Sequence, residues 1–351
     1  MVEVKRGDPR VLRDLAELAD RVFRPAAVPG TAMIREFPHV FNGENSGNIF
    51  YVEEGGVPVS MAAVKPWEVV LGPSTLSVIA LGSVCTLEQH RGEGYATAII
   101  QEVIKEFRGK ASVMIVSGER GLYRRVGCRN FGSLAELQVG EGKGKGVVPL
   151  PNPEERAEEL LRLHAAEMIR FKREVEGMRR MLSTLSFPRP FACSVGAFLS
   201  PLGGAYAIAS LTRQGGLFIH EWAGDRAEVL SLISSVTSWY GVPEAKLLFQ
   251  PRDSKMWELA NGIRVRRVQN QGTILILNPE RLSQEVKDFL EEEMRAELGV
   301  EKAGEGWRVG VKWRNGQTQL EFRDLGDLTQ WVFNEDGLGI PFPYTAGLDY
   351  V

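Results

Sequence analysis

The stretch SVCTLEQHRGEGYATAIIQEVI, residues 83–104, decides how this chain is read. It opens as the end of a strand, passes through a turn with two glycines, and continues from Gly94 with Ala96, Ile99, Ile100, Val103 and Ile104 at helical spacing. A strand that turns on glycines into a helix builds an anion site. The N–H groups at a helix amino terminus lack partners within the helix and carry the positive end of its dipole, so a pyrophosphate can accept several hydrogen bonds from them at once. Gly92 and Gly94 remove side chains that would hold phosphates away, and Arg91 adds a charge beside them. A dinucleotide fingerprint would need a further glycine at position 97, which is Thr97, so a nicotinamide-binding reading is weak.

Outward from this stretch, residues 11–23 are helical, with Asp8 and Pro9 ahead as a cap and a first-turn proline. Residues 48–53, 57–67 and 76–86 are β-branched and aromatic, broken by GG and GPS turns, and read as successive strands. A helix to Phe107, a strand at 112–117, a turn of helix at 122–126 and a strand at 129–139 follow. This order predicts a mixed α/β (α+β) domain over 1–142. The run GEGKGKGVVPLPNP, residues 140–153, reads as a linker. From 150 to 278 a charged helical stretch at 154–182 leads into strands at 193–199, 205–212 and 217–223, a helix at 227–240, a strand at 246–250 and a helix at 255–259. The same α/β order recurs there without the glycine motif, and Gly241 and Val242 offer nothing to cradle a phosphate. A third region, 279–351, begins with a helix, continues with strands at 307–313 and 317–322 joined by the turn Arg314-Asn315-Gly316, and ends in a Pro- and Gly-rich tail too apolar to dangle.

Composition narrows the classes. With 351 residues the chain exceeds one ordinary core, so two or three domains are expected. A net charge of -3, from 42 Lys and Arg against 45 Asp and Glu, gives no global attraction to nucleic acid or an anionic membrane. No stretch approaches the length of a membrane span, and the amino terminus lacks the apolar core of a signal peptide. Three scattered cysteines, Cys85, Cys128 and Cys193, argue against a disulfide framework, and the four histidines show no metal-binding spacing. A soluble cytoplasmic protein without a metal is expected.

The spacing Gln89-x-x-Gly92-x-Gly94, followed by Tyr95-Ala96, resembles the acetyl-coenzyme A motif of the GCN5-related N-acetyltransferase (GNAT) family. The resemblance implies that acetyl-CoA, as co-substrate, is held by Val84, Cys85, Thr86, Gln89, Arg91, Gly92, Glu93, Gly94, Tyr95 and Ala96. In it, the strand at Val84 and Thr86 splays from its neighbour and pairs with the pantetheine arm. A second segment, Tyr123-Arg124-Arg125-Val126-Gly127-Cys128, looks like the family's Y-x-x-x-G-F/Y, with Cys128 where an aromatic is usual. A phenol of pKa about 10 can protonate the leaving thiolate and stay protonated at neutral pH, which makes Tyr123 the implied general acid. The alternative is a packing aromatic.

Over its full length the chain resembles the enhanced intracellular survival (Eis) type of acetyltransferase. That implies tandem GNAT acyl-CoA N-acyltransferase domains, the second degenerate, and a short sterol carrier protein-like carboxy-terminal domain, supported by W-x-N-G at 313–316. The resemblance also implies that the chain's terminal carboxylate, on Val351, serves as base, and that the protein forms a homo-oligomer, up to a hexamer. A free α-carboxylate titrates near about 3.5, and an apolar cleft would raise it toward usefulness. The acceptor stays open among small-molecule amines, polyamines, aminoglycosides and lysine side chains. Glu53, Glu54, Glu68 and Glu119 are candidates to attract a cationic amine, and Phe23, Phe37 and Phe41 to wall its pocket. A non-catalytic sensor or scaffold that binds coenzyme A or another ligand remains the alternative function.

Overall fold

The structure, a computed structural model, describes residues 2–140, 142, 145–185, 192–314 and 316–351. In the first half of the chain the strands are β1 (Lys5–Arg6), β2 (Ile49–Glu54), β3 (Val57–Leu71), β4 (Ser74–Thr86), β5 (Val113–Val116), β6 (Ser133–Gly140), β7 (Val148–Leu150) and β8 (Ile169–Phe171). The helices there are α1 (Leu12–Phe23), α2 (Ala32–Glu36), α3 (Tyr95–Phe107), α4 (Gly121–Arg125), α5 (Ala157–Ala165) and α6 (Val175–Leu182). The second half adds β9 (Ala192–Leu199), β10 (Ala205–Thr212), β11 (Leu217–Gly224), α7 (Arg226–Tyr240), β12 (Glu244–Phe249), α8 (Ser254–Leu259), β13 (Val265–Gln269) and β14 (Thr273–Ile276). It closes with α9 (Pro279–Glu285), α10 (Lys287–Phe289), β15 (Ala296–Ala303), β16 (Gly306–Trp313), β17 (Gly316–Phe322) and α11 (Leu325–Phe333).

The chain divides into two compact units. The first comprises Met1–Phe131, Gln271–Ile340 and Val351, and the second Gly132–Asn270 and Pro341–Tyr350. These boundaries differ from the sequential segments expected from the linker at 140–153, of which 141, 143 and 144 lie outside the described residues. The reason is strand pairing. β6, expected to close the first region, pairs antiparallel with β12 and β13 in the second unit, and β14 pairs antiparallel with β5 in the first. Strand runs such as SLAELQVG and TILI carry no sequence mark of the sheet they join.

In the first unit the sheet runs β1-β2-β3-β4-β5-β14. β3 and β4 form a long antiparallel hairpin, and β4 and β5 are parallel, joined through α3. The apolar face of α3 (Ile99, Ile100, Val103, Phe107) is buried on Phe50, Val64, Leu81 and Met114. Each fully buried side chain of this kind contributes about 1.5–3 kcal/mol. α1 buries Leu15, Leu18 and Ala19, and its Asp20 carboxylate accepts from the N–H groups of Thr31, Ala32 and Met33 at 2.8, 3.0 and 2.8 Å, which fixes the start of α2. Phe37 and Phe41, candidates for a pocket wall, are instead 6 % and 1 % exposed core residues. α9 is tied to the sheet by Glu285, whose carboxylate accepts from Ser77 N–H at 2.9 Å and from the Ser77 and Ser112 hydroxyls at 2.7 and 2.5 Å. β15, β16 and β17 form a separate three-stranded antiparallel sheet in this unit. β15 was not expected, because AELGVEKA alternates weakly and carries three charges.

In the second unit the order is β13-β6-β12-β11-β10-β9-β7, with α7 packed on the sheet through Val229, Leu232, Ile233 and Val236. The charged stretch at 154–182, expected as one helix or as two with a break, is two helices, and the break holds β8. Gly241, with φ 65°, is the left-handed carboxy-terminal cap of α7.

Candidate active site

β4 and β5 run in register from Val78↔Val113 to Leu81↔Val116, and the ladder stops there. The next residues of β4 explain the opening. Ser83 has φ 52°, a conformation that side chains rarely adopt, and the β3–β4 register shifts between Ala63↔Gly82 and Met61↔Cys85. This bulge bends β4 away from β5 and frees its backbone on that side. Beyond it, Thr86 Oγ1 lies 2.8 Å from Ser60 Oγ, so β4 stays tied to β3 while it leaves β5.

The anion loop follows directly. Gln89 sits in a 3-10 turn, Glu88–His90, and Arg91 donates to Thr86 C=O at 3.4 Å. Gly92 and Gly94 have φ 94° and 82°, the left-handed region that favours glycine. Gly94 is the amino-terminal cap of α3, and the first bond of that helix runs from Ala98 N–H to Gly94 C=O. The N–H groups ahead of Ala98 therefore point out of the helix end. A Cβ placed on Gly92 or Gly94 would meet no heavy atom within 4 Å, so their surroundings are open space. The residues present fit a pyrophosphate. Tyr95 donates its hydroxyl to Glu54, and His90 Nδ1 is 3.4 Å from the same carboxylate, so these side chains fix one rim of the loop.

Two candidate proton carriers flank the point where the strands part. Gly82 is the residue after the last ladder pair on β4, and a Cβ there would lie 2.3 Å from the carboxyl carbon and 2.4 Å from the oxygen of Val351. Only glycine leaves room for the chain terminus, whose Val351 is 7 % exposed. On the other strand, Gly118 follows Val116 by two residues, and a Cβ there would lie 2.9 Å from the ring of Tyr123. Tyr123 is 6 % exposed on α4. Gly82 and Gly118 are thus small for the same reason on either side of one opening, and neither was singled out by sequence. Their signal, a lone glycine at a strand end, is too common to read alone.

Other expected residues fall elsewhere. Cys85 is buried and burial pushes its thiol up to about 12, so it contributes backbone, not a nucleophile. Cys128 is likewise pushed up to about 12 by burial. Val84 packs on the core and Glu93 and Ala96 lie on the loop and first turn of α3. Among the acidic candidates, Glu53 is engaged with Lys5 at 2.5 Å and Glu54 with Tyr95 and His90. Among the described residues no cluster of His, Cys, Asp and Glu is arranged to hold a metal, and no helix is long and apolar enough to cross a membrane.

The second unit has an opening at the corresponding place. Parallel β11 and β12 pair from Leu217↔Ala245 to Ile219↔Leu247, and the β10–β11 register shifts at His220, between Ile208↔Glu221 and Ala209↔Ile219. A cavity of 720 Å³ lies where these strands part. Its helix end is closed. The Asp225 carboxylate accepts from Ala227 and Glu228 N–H at 3.0 and 3.2 Å, and Arg226 is paired at 2.7 Å with both Glu167 and Asp253.

Residues 3–131 match the model of the family described as acetyltransferase (GNAT) domain. Among solved structures, the chain is similar to a GCN5-related N-acetyltransferase from Anabaena variabilis, with TM-score 0.64 and 12 % identity over 94 % of this chain and 89 % of that one. It is similar to Eis1 from Mycobacterium abscessus, with TM-score 0.62 and 13 % identity over 94 % and 89 %. A GCN5-related N-acetyltransferase from Kribbella flavida gives TM-score 0.62 and 12 % identity over 91 % and 83 %. At such identities the likeness is one of fold. No curated protein matches the sequence.

Proposed function

We propose that this chain, whose residues 3–131 match the acetyltransferase (GNAT) domain and whose fold is similar to that of Eis1 from Mycobacterium abscessus, moves an acetyl group from acetyl-CoA to a primary amine by direct attack in a ternary complex. The observation that carries this reading is the flanking of one strand opening by the Val351 carboxylate at Gly82 and the Tyr123 ring at Gly118. Acetyl-CoA supplies an activated thioester carbonyl. Gly92, Gly94 and the amino terminus of α3 hold the pyrophosphate, with Gln89, Arg91, Glu93, Tyr95 and Ala96 around it, and the freed backbone from Val84 through Cys85 to Thr86 orients the arm.

In the reaction the amine lone pair forms the new C–N bond and the C–S bond breaks with its electron pair on sulfur. The Val351 carboxylate takes the proton that nitrogen loses, and the Tyr123 hydroxyl gives one to the thiolate, so protons and charge balance once bulk water resets both groups.

The acceptor class is a small-molecule or lysine-type amine. The repeat of a bulged parallel strand pair followed by a helix supports 150–278 as a degenerate second GNAT domain. The sheet β15-β16-β17 with α11 supports 279–351 as a trimmed sterol carrier protein-like domain, although Asn315 of its W-x-N-G lies outside the described residues. A cytoplasmic homo-oligomer, up to a hexamer, without nucleic-acid or membrane partners, belongs to the same reading.

Release of free thiol from acetyl-CoA with spermidine, kanamycin and N-acetyl-lysine amide tests it. Tyr123→Phe is expected to lower kcat about a hundredfold with acetyl-CoA affinity retained. Binding of acetyl-CoA without turnover on any of the three amines would leave the non-catalytic reading standing.

A further inference from the structure

The cavity of 720 Å³ lies within the second unit, and the described residues that line it all belong to that unit. Its volume falls in the range of small-molecule sites, about 300–1,000 Å³. The helix end and Arg226 are taken up by neighbouring side chains, so a ligand there would be held by other groups on the wall.

Much of that wall is aromatic and already fixed. Trp222 donates Nε1–H to Leu248 C=O at 2.8 Å, and the Arg226 guanidinium sits 4.8 Å from its ring centre. Phe249 meets Trp257 edge-on at 5.2 Å between ring centres, and Phe171 meets Phe342 in the same way at 6.2 Å. Rings held by such contacts lose little freedom when a flat ligand packs against them.

The charges on the wall pair off with one exception. Arg173, which is buried, donates from Nη1 and Nη2 to the two oxygens of Glu221 at 2.7 Å each and from Nε to Asp349 at 2.9 Å. Arg226 pairs with Glu167 and Asp253 at 2.7 Å, Lys255 pairs with Asp225 at 2.7 Å, and Arg156 pairs with Glu159. Every lining carboxylate among the described residues is thus committed to a cation. Burial lowers His164 and His220 to about 4, so both are neutral at neutral pH. Of the remaining cations on the wall, Arg162 and Arg252 are exposed. Arg170 is half-buried, donates to Glu167 C=O, and has no carboxylate partner among the described residues. Burial weakens its hold on its proton, and Glu167, whose charge opposes that, is already engaged by Arg226. An anion at Arg170 would restore what burial removes.

Two more groups on this wall keep hydrogen-bonding capacity. Gln250 donates Nε2–H to Phe342 C=O at 2.8 Å, which fixes its carboxamide, and leaves Oε1 buried without a partner among the described residues. Such an acceptor is costly to bury until a donor reaches it. The Tyr344 hydroxyl is not hydrogen-bonded among the described residues, and burial raises its pKa, so it keeps its proton as a donor.

These features select a ligand class. A pyrophosphate would bring several negative charges near Glu167, Glu221, Asp253 and Asp349 with one half-buried unpaired cation to receive them. A single carboxylate on a flat apolar body matches that cation, and an N–H or O–H on the body matches Gln250.

We propose that this cavity is a second ligand site, for a small aromatic carboxylate that carries a hydrogen-bond donor. The carboxylate meets Arg170 and Tyr344, the ring packs among Phe171, Trp222 and Phe249, and the donor reaches Gln250 Oε1. The site is independent of Val351 and of turnover.

Calorimetric titration of the full chain with indole-3-acetate and with 4-hydroxyphenylacetate tests it, with and without excess acetyl-CoA. One site per chain is expected for at least one of the two acids, unchanged by acetyl-CoA, with the corresponding amide at least about tenfold weaker. Arg170→Gln is expected to weaken the acid at least about tenfold, Tyr344→Phe about threefold, and the exposed control Glu176→Gln not at all. Arg170→Lys, which keeps the charge, is expected to retain more affinity than Arg170→Gln. Failure of both acids to bind, equal binding of acid and amide, or binding indifferent to Arg170→Gln and Tyr344→Phe overturns the proposal. Displacement of the acid by acetyl-CoA overturns it too, because the acid would then occupy the first unit. Arg170-dependent binding of pyrophosphate with no binding of either acid would make the cavity a polyanion site and overturn the ligand class. An acid site that persists in a chain unable to bind acetyl-CoA would defeat the acetyl-transfer reading and leave this one standing.

Discussion

The molecule contains two versions of one device, a parallel strand pair that parts at a bulge. In the first unit β4 parts from β5 after Leu81↔Val116, and the helix beyond begins at a left-handed glycine with its N–H groups free of the helix. In the second unit β11 parts from β12 after Ile219↔Leu247, and the helix beyond is capped by its own Asp225. The bulged backbone is common to both, so bulging alone does not make a cofactor site. What differs is whether the donors near the gap are still available. Arg226 is committed to Glu167 and Asp253 and stacks over Trp222, whose Nε1 donates to Leu248 C=O at 2.8 Å across the parted strands. In the first unit the helix end stands beside open space at Gly92 and Gly94, whereas in the second the donors are used up by the protein itself.

The largest test of this contrast is Gly82→Ala. The new methyl would need the place of the Val351 carboxyl, 2.3 Å from its carbon, so the terminus must leave the β4 opening. Turnover is expected to fall by about two to four orders of magnitude, the range for a lost general base, with acetyl-CoA affinity within about threefold of the parent. Steady-state kinetics and calorimetry with acetyl-CoA measure the two. If Gly82→Ala and deletion of Val351 together cost no more than either alone, both act on one group. Full activity of the alanine variant would break the assignment of the first opening as the reaction site.

A second test uses acid, because the second unit buries two histidines whose protonation it opposes. Burial, joined by the charge of Arg173, lowers His164 to about 4, and burial lowers His220 to about 4, from an ordinary 6.5. Between those values the unfolded chain binds the protons and the folded chain does not, so stability rises with pH across that window and is lost as pH falls through it. At pH 5 each ring removes about 2 kcal/mol relative to pH 8. Hydrogen exchange at pH 8 and pH 5, corrected for intrinsic rates, is expected to show β10, β11 and β12 losing protection ahead of β3, β4 and β5. Equal losses in both sheets would mean that the two openings are not independently supported.

The legible part of this molecule is the part made of local pattern. α1, β2, β3, β4, α3 and β5 follow from periodicity and from turn glycines, and the turn ahead of α3 follows from Gly92 and Gly94. The exchange of β6 and β14 between sheets was not legible, since SLAELQVG and TILI satisfy a strand pattern with any partner. Gly82, Gly118 and the Arg173 cluster were hidden for another reason. Each depends on a partner far along the chain, and Arg173 reads as one more charge in a charged helical stretch. Asp349 alone offered a hint, a single carboxylate within the apolar run AGLDYV, where an unpaired charge could not be buried.

The finest test separates the helix end from the loop. Asp225→Ala removes the acceptor for Ala227 and Glu228 N–H and the 2.7 Å contact to Lys255, and is expected to cost about 1 kcal/mol of stability in thermal or urea unfolding. It uncovers the amino terminus of α7, and yet no second acetyl-CoA should bind. Gly224, at φ 119°, cannot supply the open space of Gly92 and Gly94, because its would-be Cβ lies 2.1 Å from Gly204 C=O. Arg226 also remains held by two carboxylates. Calorimetric titration with acetyl-CoA is therefore expected to give one site per chain in the parent and in the variant. A second site appearing in Asp225→Ala would show that a freed helix end next to parted strands is enough, and that the glycines at 92 and 94 tune affinity without creating it.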